Sequence, residues 1–148
     1  VCRSLEDLWN AYNQSGLLTM VLQEFITWDG YVRCMCLGQR DVLVKNYDPN
    51  TRQYSSPDGL GQPMIDRIVA DSLKLVRALG YDMNTLEWAI RDGVPYAIDF
   101  MNPAPDMDVN STGYDYHRWC VEKMADLCIE LANSDKPPVT ETRWNTLF

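Results

Sequence analysis

At 148 residues the chain has the length of one domain, and 46% apolar residues are enough for a core of its own. A net charge of −8 excludes the clustered basic surface of a general nucleic-acid binder. No stretch is apolar for long enough to span a bilayer, and the first residues carry no signal-peptide pattern. The five cysteines lack zinc-type spacing, so free thiols in a reduced, cytoplasmic setting are expected.

Ser4, Glu6 and Asp7 mark the start of a first helix over residues 4–14, with Leu5, Leu8, Trp9 and Tyr12 as its apolar stripe. Because the chain opens on Val1, already at this element, it reads as a fragment of a longer protein. Strands are predicted over 18–26, 31–37 and 41–46, the last two joined by a tight turn at Gly38 and Gln39. Cys34 and Cys36, two apart, point to one face, expected to be the core. Residues 47–62 are rich in Asp, Pro, Asn, Ser and Gly and predict a mobile surface loop. A second helix begins at Pro63, buries Ile65, Ile68, Val69, Leu73, Val76 and Leu79, and stops at Gly80. After a strand pair and a loop over 102–113, a third helix over 114–133 turns Cys120, Met124, Leu127, Cys128 and Leu131 inward. The tail over 135–148, with Pro137 and Pro138, is expected to be extended. Five strands and three helices without a repeated βαβ unit predict an α+β fold with a mainly antiparallel sheet.

The strand pair over 84–90 and 95–101 is the most informative stretch. Leu86, Trp88 and Ile90 alternate with Glu87; Tyr96, Ile98 and Phe100 alternate with Asp99. If both bulky faces meet one core, Glu87 and Asp99 share the opposite face. A two-residue turn at Asp92 and Gly93 would pair Glu87 with Ile98. A three-residue loop of Arg91, Asp92 and Gly93 gives the right parity and is therefore predicted. Two adjacent carboxylates repel unless a cation or a shared proton offsets them. With the amide oxygen of Asn102 they form a hard-oxygen set suited to Mg²⁺ that carries substrate phosphates. The plainer alternative is a half-exposed hairpin with solvated acids.

Gln23, Glu24, Phe25 and Ile26 end a predicted strand, where unpaired backbone groups can hydrogen-bond the edge of a base such as adenine. Arg33 and Lys45 lie within apolar strands, where a long cation needs a partner or a pocket; both are candidates to face the carboxylates or to clamp phosphate. Asp106, Asp108 and Asn110 begin like a calcium loop, but Ser111 and His117 stand where a glycine and a glutamate are needed. His117 itself has no nucleophile to pair with.

In order and spacing these segments resemble the carboxyl-terminal part of an ATP-grasp ligase, of the glutathione synthetase or ribosomal-protein glutamate ligase type. The resemblance spans residues 4–108. It is carried by Gln23 to Ile26, Tyr31 to Arg33, Leu43 to Lys45, Arg77 to Gly80, Thr85 to Glu87, and Tyr96 to Asp99 with Asn102 and Pro103. It implies a ligase that phosphorylates a carboxylate with ATP and passes the acyl group to an amine or thiol. Mg²⁺ would be held by Glu87, Asp99 and Asn102, and adenine by the backbone of residues 23–26. Arg33 and Lys45 would face the phosphates. The implied partners are small-molecule or peptide carboxylate and amine substrates, and the amino-terminal lobe that precedes this region in the family. Residues 1–134 would be the carboxyl-terminal lobe, with 1–16 a remnant of the small lobe, and the isolated chain would be inactive. Two features depart from the family pattern: Asp99 stands where glutamate is common, and Asn102 comes one residue late. They leave open a non-catalytic ATP-grasp-like domain that binds nucleotide or a partner, and an α+β interaction domain with no nucleotide site.

Overall fold

The computed structural model describes residues 1–135. In chain order the elements are α1 (Leu5–Gln14), β1 (Gly30–Leu37), β2 (Asp41–Asp48), β3 (Gln53–Ser55), α2 (Gln62–Leu79), β4 (Met83–Arg91), β5 (Val94–Asn102), α3 (Val109–Thr112) and α4 (Tyr114–Ala132). The strands form one antiparallel sheet in the order β3-β2-β1-β4-β5. The fold class is the α+β predicted.

Strand β1 lies between two layers because both of its faces are apolar. Val32, Cys34 and Cys36 join Val44, Leu86, Trp88 and Ile90 against Ile68 and Val76 of α2. Met35 and Leu37 point the other way, against Tyr116 and Cys120 of α4. Beyond them on that second face, Tyr31 and Ala89 pack with Ile26. Two apolar patches thus cover the ends of the second face and leave its middle for polar side chains. Among the described residues no helix is long and apolar enough to cross a membrane.

Several expectations need correction. Residues 18–26 form no strand: the segment has the apolar content but no ladder partner, and Leu18, Met20, Val21 and Leu22 are exposed while Ile26 is buried. The fifth strand is instead β3, inside the stretch predicted as a loop, where Tyr54 pairs with Tyr47. The α1 stripe is exposed at Leu5, Trp9 and Tyr12, although Ser4 caps the helix as expected. Cys128 and Leu131 of α4 are exposed as well, because the helix packs through Tyr116, Cys120, Met124 and Leu127 instead. The tail expected to be extended lies, apart from Asp135, outside the described residues.

The turn of the acid-bearing hairpin is also corrected, and its repair is informative. Arg91 pairs with Val94, so the turn has two residues, Asp92 and Gly93. Their φ values of 51° and 73° are what a tight hairpin turn with two left-handed residues requires. The Asp29 carboxylate fixes it by accepting from the Asp92 backbone N–H at 2.8 Å. Parity is restored one step later by a β-bulge. Trp88 pairs with Ala97, but Glu87 pairs with Asp99, leaving Ile98 as the extra residue. The two-residue turn sets Tyr96 on the second face and Ala97 on the α2 side, and the bulge then places Ile98 on the second face and returns Phe100 to the α2 side. Tyr96 and Ile98 therefore do not share a face with Leu86, Trp88 and Ile90 as predicted.

A candidate phosphate and cation site on the second sheet face

The register assembles a row of charges across four strands. Lys45 of β2 faces Arg33 of β1, Arg33 faces Glu87 of β4, and Glu87 faces Asp99 of β5. Directly paired residues in an antiparallel ladder project to the same side, so all four stand on the second face. A second irregularity, between Glu87 and Thr85, pairs Thr85 with Asn102 and brings Asn102 onto this face too. The late position of Asn102 is thus accommodated by a local irregularity in β5.

Both irregularities are held by side-chain amides. The Gln23 amide donates to the Ile98 carbonyl at 3.2 Å. Buried Asn84 donates to the Phe100 carbonyl and accepts from the Asn102 N–H, each at 2.8 Å. A bulge strips backbone groups of their ladder partners, and these two side chains replace them.

At the centre of the row, Glu87 and Arg33 are largely buried, with side chains 16% and 13% exposed. Glu87 Oε2 accepts from the Tyr31 hydroxyl at 2.6 Å, and Oε1 lies 3.5 Å from Arg33 Nε. Arg33 donates through Nη1 to the Tyr54 hydroxyl at 2.8 Å, and Nη2 reaches Thr85 Oγ1 at 3.5 Å. Its guanidinium lies over the Tyr47 ring, 5.1 Å from the centroid. Arg33 Nε is buried and has no hydrogen-bond acceptor. Burial, then the bond to Glu87, push the Tyr31 hydroxyl well above the usual phenol range. The expected repulsion between Glu87 and Asp99 is therefore met from inside the fold by Arg33. Asp99 is exposed and makes no hydrogen bond or ion pair with the described residues.

A cleft of about 430 Å³ adjoins this row. Gln23, Glu24, Phe25 and Ile26 line it together with Trp28, Tyr31, Ala89 and Ile98. The predicted base-binding residues thus border a real concavity, although they are not a strand. Within them, Gln23 is engaged with Ile98 and Glu24 lies 3.9 Å from Arg91. Aromatic rings run from the cleft to α4: Phe25, Trp28, Tyr31, Tyr47, Tyr54 and Tyr116, with successive centroids 4.9 to 6.3 Å apart.

The donor set decides what this face can hold. Among the described residues no group of three or more His, Cys, Asp or Glu is arranged to hold a metal ion. Open Asp99, Glu87 Oε1 and the Asn102 amide are hard oxygens, too few for a cage of protein ligands. They fit a Mg²⁺ ion that takes its remaining ligands from water and phosphate. The buried, acceptor-free Arg33 Nε fits an anionic oxygen.

Sequence reasoning found the four charges but missed the residues that hold them. Tyr31 was legible, being two positions from Arg33 and so on its face. Tyr54 was not, since it arrives from an element far away in sequence.

The five-stranded antiparallel sheet and its helices match part of a solved ligase in fold. The chain is similar in structure to D-alanine–D-alanine ligase from Bacillus anthracis, with a TM-score of 0.64 and 17% identity over 86% of this chain and 47% of the ligase. A structure of that ligase complexed with ATP gives a TM-score of 0.57 and 18% identity over 72% of this chain and 37% of the ligase. The chain thus spans less than half the length of the ligase, and the likeness is one of fold. No protein-family model matches the chain, and no curated protein matches it in sequence.

Proposed function

We propose that this chain is the nucleotide-binding lobe of a cytoplasmic ATP-dependent ligase that joins a carboxylate to an amine or thiol through an acyl phosphate. The observation that carries the reading is the row Lys45, Arg33, Glu87, Asp99, set on one face beside the cleft of residues 23–26. Phosphoryl transfer asks a protein mainly for positioning and charge neutralisation, and the row offers both signs of charge within a few ångströms. In this reading Glu87, Asp99 and Asn102 hold Mg²⁺, and the backbone of Gln23, Glu24, Phe25 and Ile26 receives the adenine. Bound Mg²⁺ would supply neutralisation of the nucleotide phosphates. Arg33 and Lys45 balance negative charge from the other side, Arg33 being pre-positioned by Tyr54 and Tyr47. Residues 1–134 act as one lobe, with 1–16 reaching toward the other lobe of a larger enzyme. The carboxylate and amine substrates, small molecules or peptides, meet between the two.

Binding, rather than turnover, tests this on the chain as it stands. Calorimetric titration with ADP should show binding that needs Mg²⁺. Asp99→Asn and Glu87→Gln should each weaken it by about tenfold, the scale of one lost charge contact near a protein surface. Asp99→Asn should leave the melting temperature unchanged, since that side chain is exposed. Nucleotide binding indifferent to Mg²⁺ and to both variants would reject the assignment of these residues.

A further inference from the structure

Resting on that reading, we propose that Arg33 is the resident counter-ion of Glu87 and exchanges with the divalent cation. Each partner is anchored independently of the other. Glu87 is fixed through Oε2 by the Tyr31 hydroxyl at 2.6 Å. Arg33 is fixed through Nη1 by the Tyr54 hydroxyl at 2.8 Å and by the Tyr47 ring. The link between the two charges is long, at 3.5 Å, and Nε has no hydrogen-bond acceptor despite its burial.

Such a pair holds by charge more than by hydrogen bonding. Charge can be supplied by another cation. Asp99, open to solvent beside Glu87, provides the second carboxylate that makes a divalent ion a stronger competitor than a guanidinium. A cation at Glu87 and Asp99 stands close to Arg33 and repels it. The guanidinium gives up Glu87 but stays on Tyr54 and Tyr47, with Nε released for an anionic oxygen. The site is thereby kept from holding a largely buried, unbalanced Glu87 when empty. Arg33 opposes metal binding in the absence of nucleotide and favours it once phosphate arrives.

The test is Mn²⁺ binding to the whole chain without nucleotide, followed by its electron paramagnetic resonance signal. Arg33→Met should bind Mn²⁺ on the order of tenfold more tightly than the parent, and adding Glu87→Gln should remove the gain. With ADP present the order should reverse, Arg33→Met binding the metal–nucleotide pair less tightly than the parent. Equal or weaker Mn²⁺ affinity in Arg33→Met, while Glu87→Gln still impairs Mg²⁺-dependent ADP binding, would overturn the exchange and leave the ligase reading standing. Absence of metal binding in all forms, with or without ADP, would remove both. A measurement on the unaltered chain guards against misfolding of the variant. The Nε–H proton of Arg33, which gains a phosphate oxygen as acceptor, should exchange with solvent more slowly when Mg²⁺ and ADP are added, and an unchanged or faster exchange would overturn the proposal.

Discussion

Asn84 shows how a single buried amide can decide where a site residue points. Fully enclosed, it holds the Phe100 carbonyl and the Asn102 N–H, the two backbone groups that flank exposed Met101. Asn84→Leu keeps the bulk but leaves both groups without a partner. It should cost about 2–3 kcal/mol by chemical denaturation, since each buried unsatisfied group costs about 1–3 kcal/mol. Mg²⁺-dependent ADP binding should fall with it, as Asn102 loses its place. Tyr116 is the opposite case: its hydroxyl is buried without a partner, so Tyr116→Phe should leave stability unchanged or raise it by about 1 kcal/mol. Burial holds the Tyr31, Tyr54 and Tyr116 hydroxyls above their ordinary value of 10.0. A raised folded-state value means the native chain keeps protons that the unfolded chain releases. Their contribution is therefore intact below about pH 10 and declines as pH rises beyond it. Melting temperatures between pH 8 and pH 11.5 should show a fall confined to the alkaline end, shallower in Tyr116→Phe.

At the level of elements, legibility followed the strength of the local signal. Strands β1, β2, β4 and β5 were readable because β-branched and aromatic residues alternate in runs bounded by Gly, Asp and Asn. Helix α2 was readable from its apolar spacing and the glycine that ends it. The prediction for residues 18–26 failed because apolar content alone does not make a strand; a ladder partner does, and a partner is a tertiary fact. Strand β3 went unseen for the converse reason, since its three residues carry little local signal and pair with β2, where the Tyr47 and Tyr54 rings meet with centroids 4.9 Å apart. In the acid-bearing hairpin, Asp92 and Gly93 carry a strong local signal for a two-residue turn. Strict parity argued against it. The bulge at Ile98 satisfies both demands, and no local pattern announces it, because it answers to Glu87 and Asp99 across the ladder. The four charges of the site could be found from the sequence; the alignment that makes them a row could not.

On the scale of the molecule, the sheet is closed off differently at its two sides. One margin is the three-residue β3; the other is the nine-residue β5, long enough to recruit a strand from another copy. Strand β5 starts with Val94 and Pro95, the latter without an N–H to offer, and is then bent twice by the irregularities that bring Asp99 and Asn102 to the site. The same two bends spoil it as a template. A margin so distorted cannot lie flat against a neighbour, so the device that shapes the site also keeps molecules apart. Removing Ile98 would take out one of the two bends, keep Asp99 opposite Glu87 and bring the margin closer to a regular one. The shortened chain should keep Mg²⁺-dependent ADP binding, because Glu87 and Asp99 stay paired. It should also scatter light on standing at concentrations where the parent stays clear, through intermolecular strand pairing along β5.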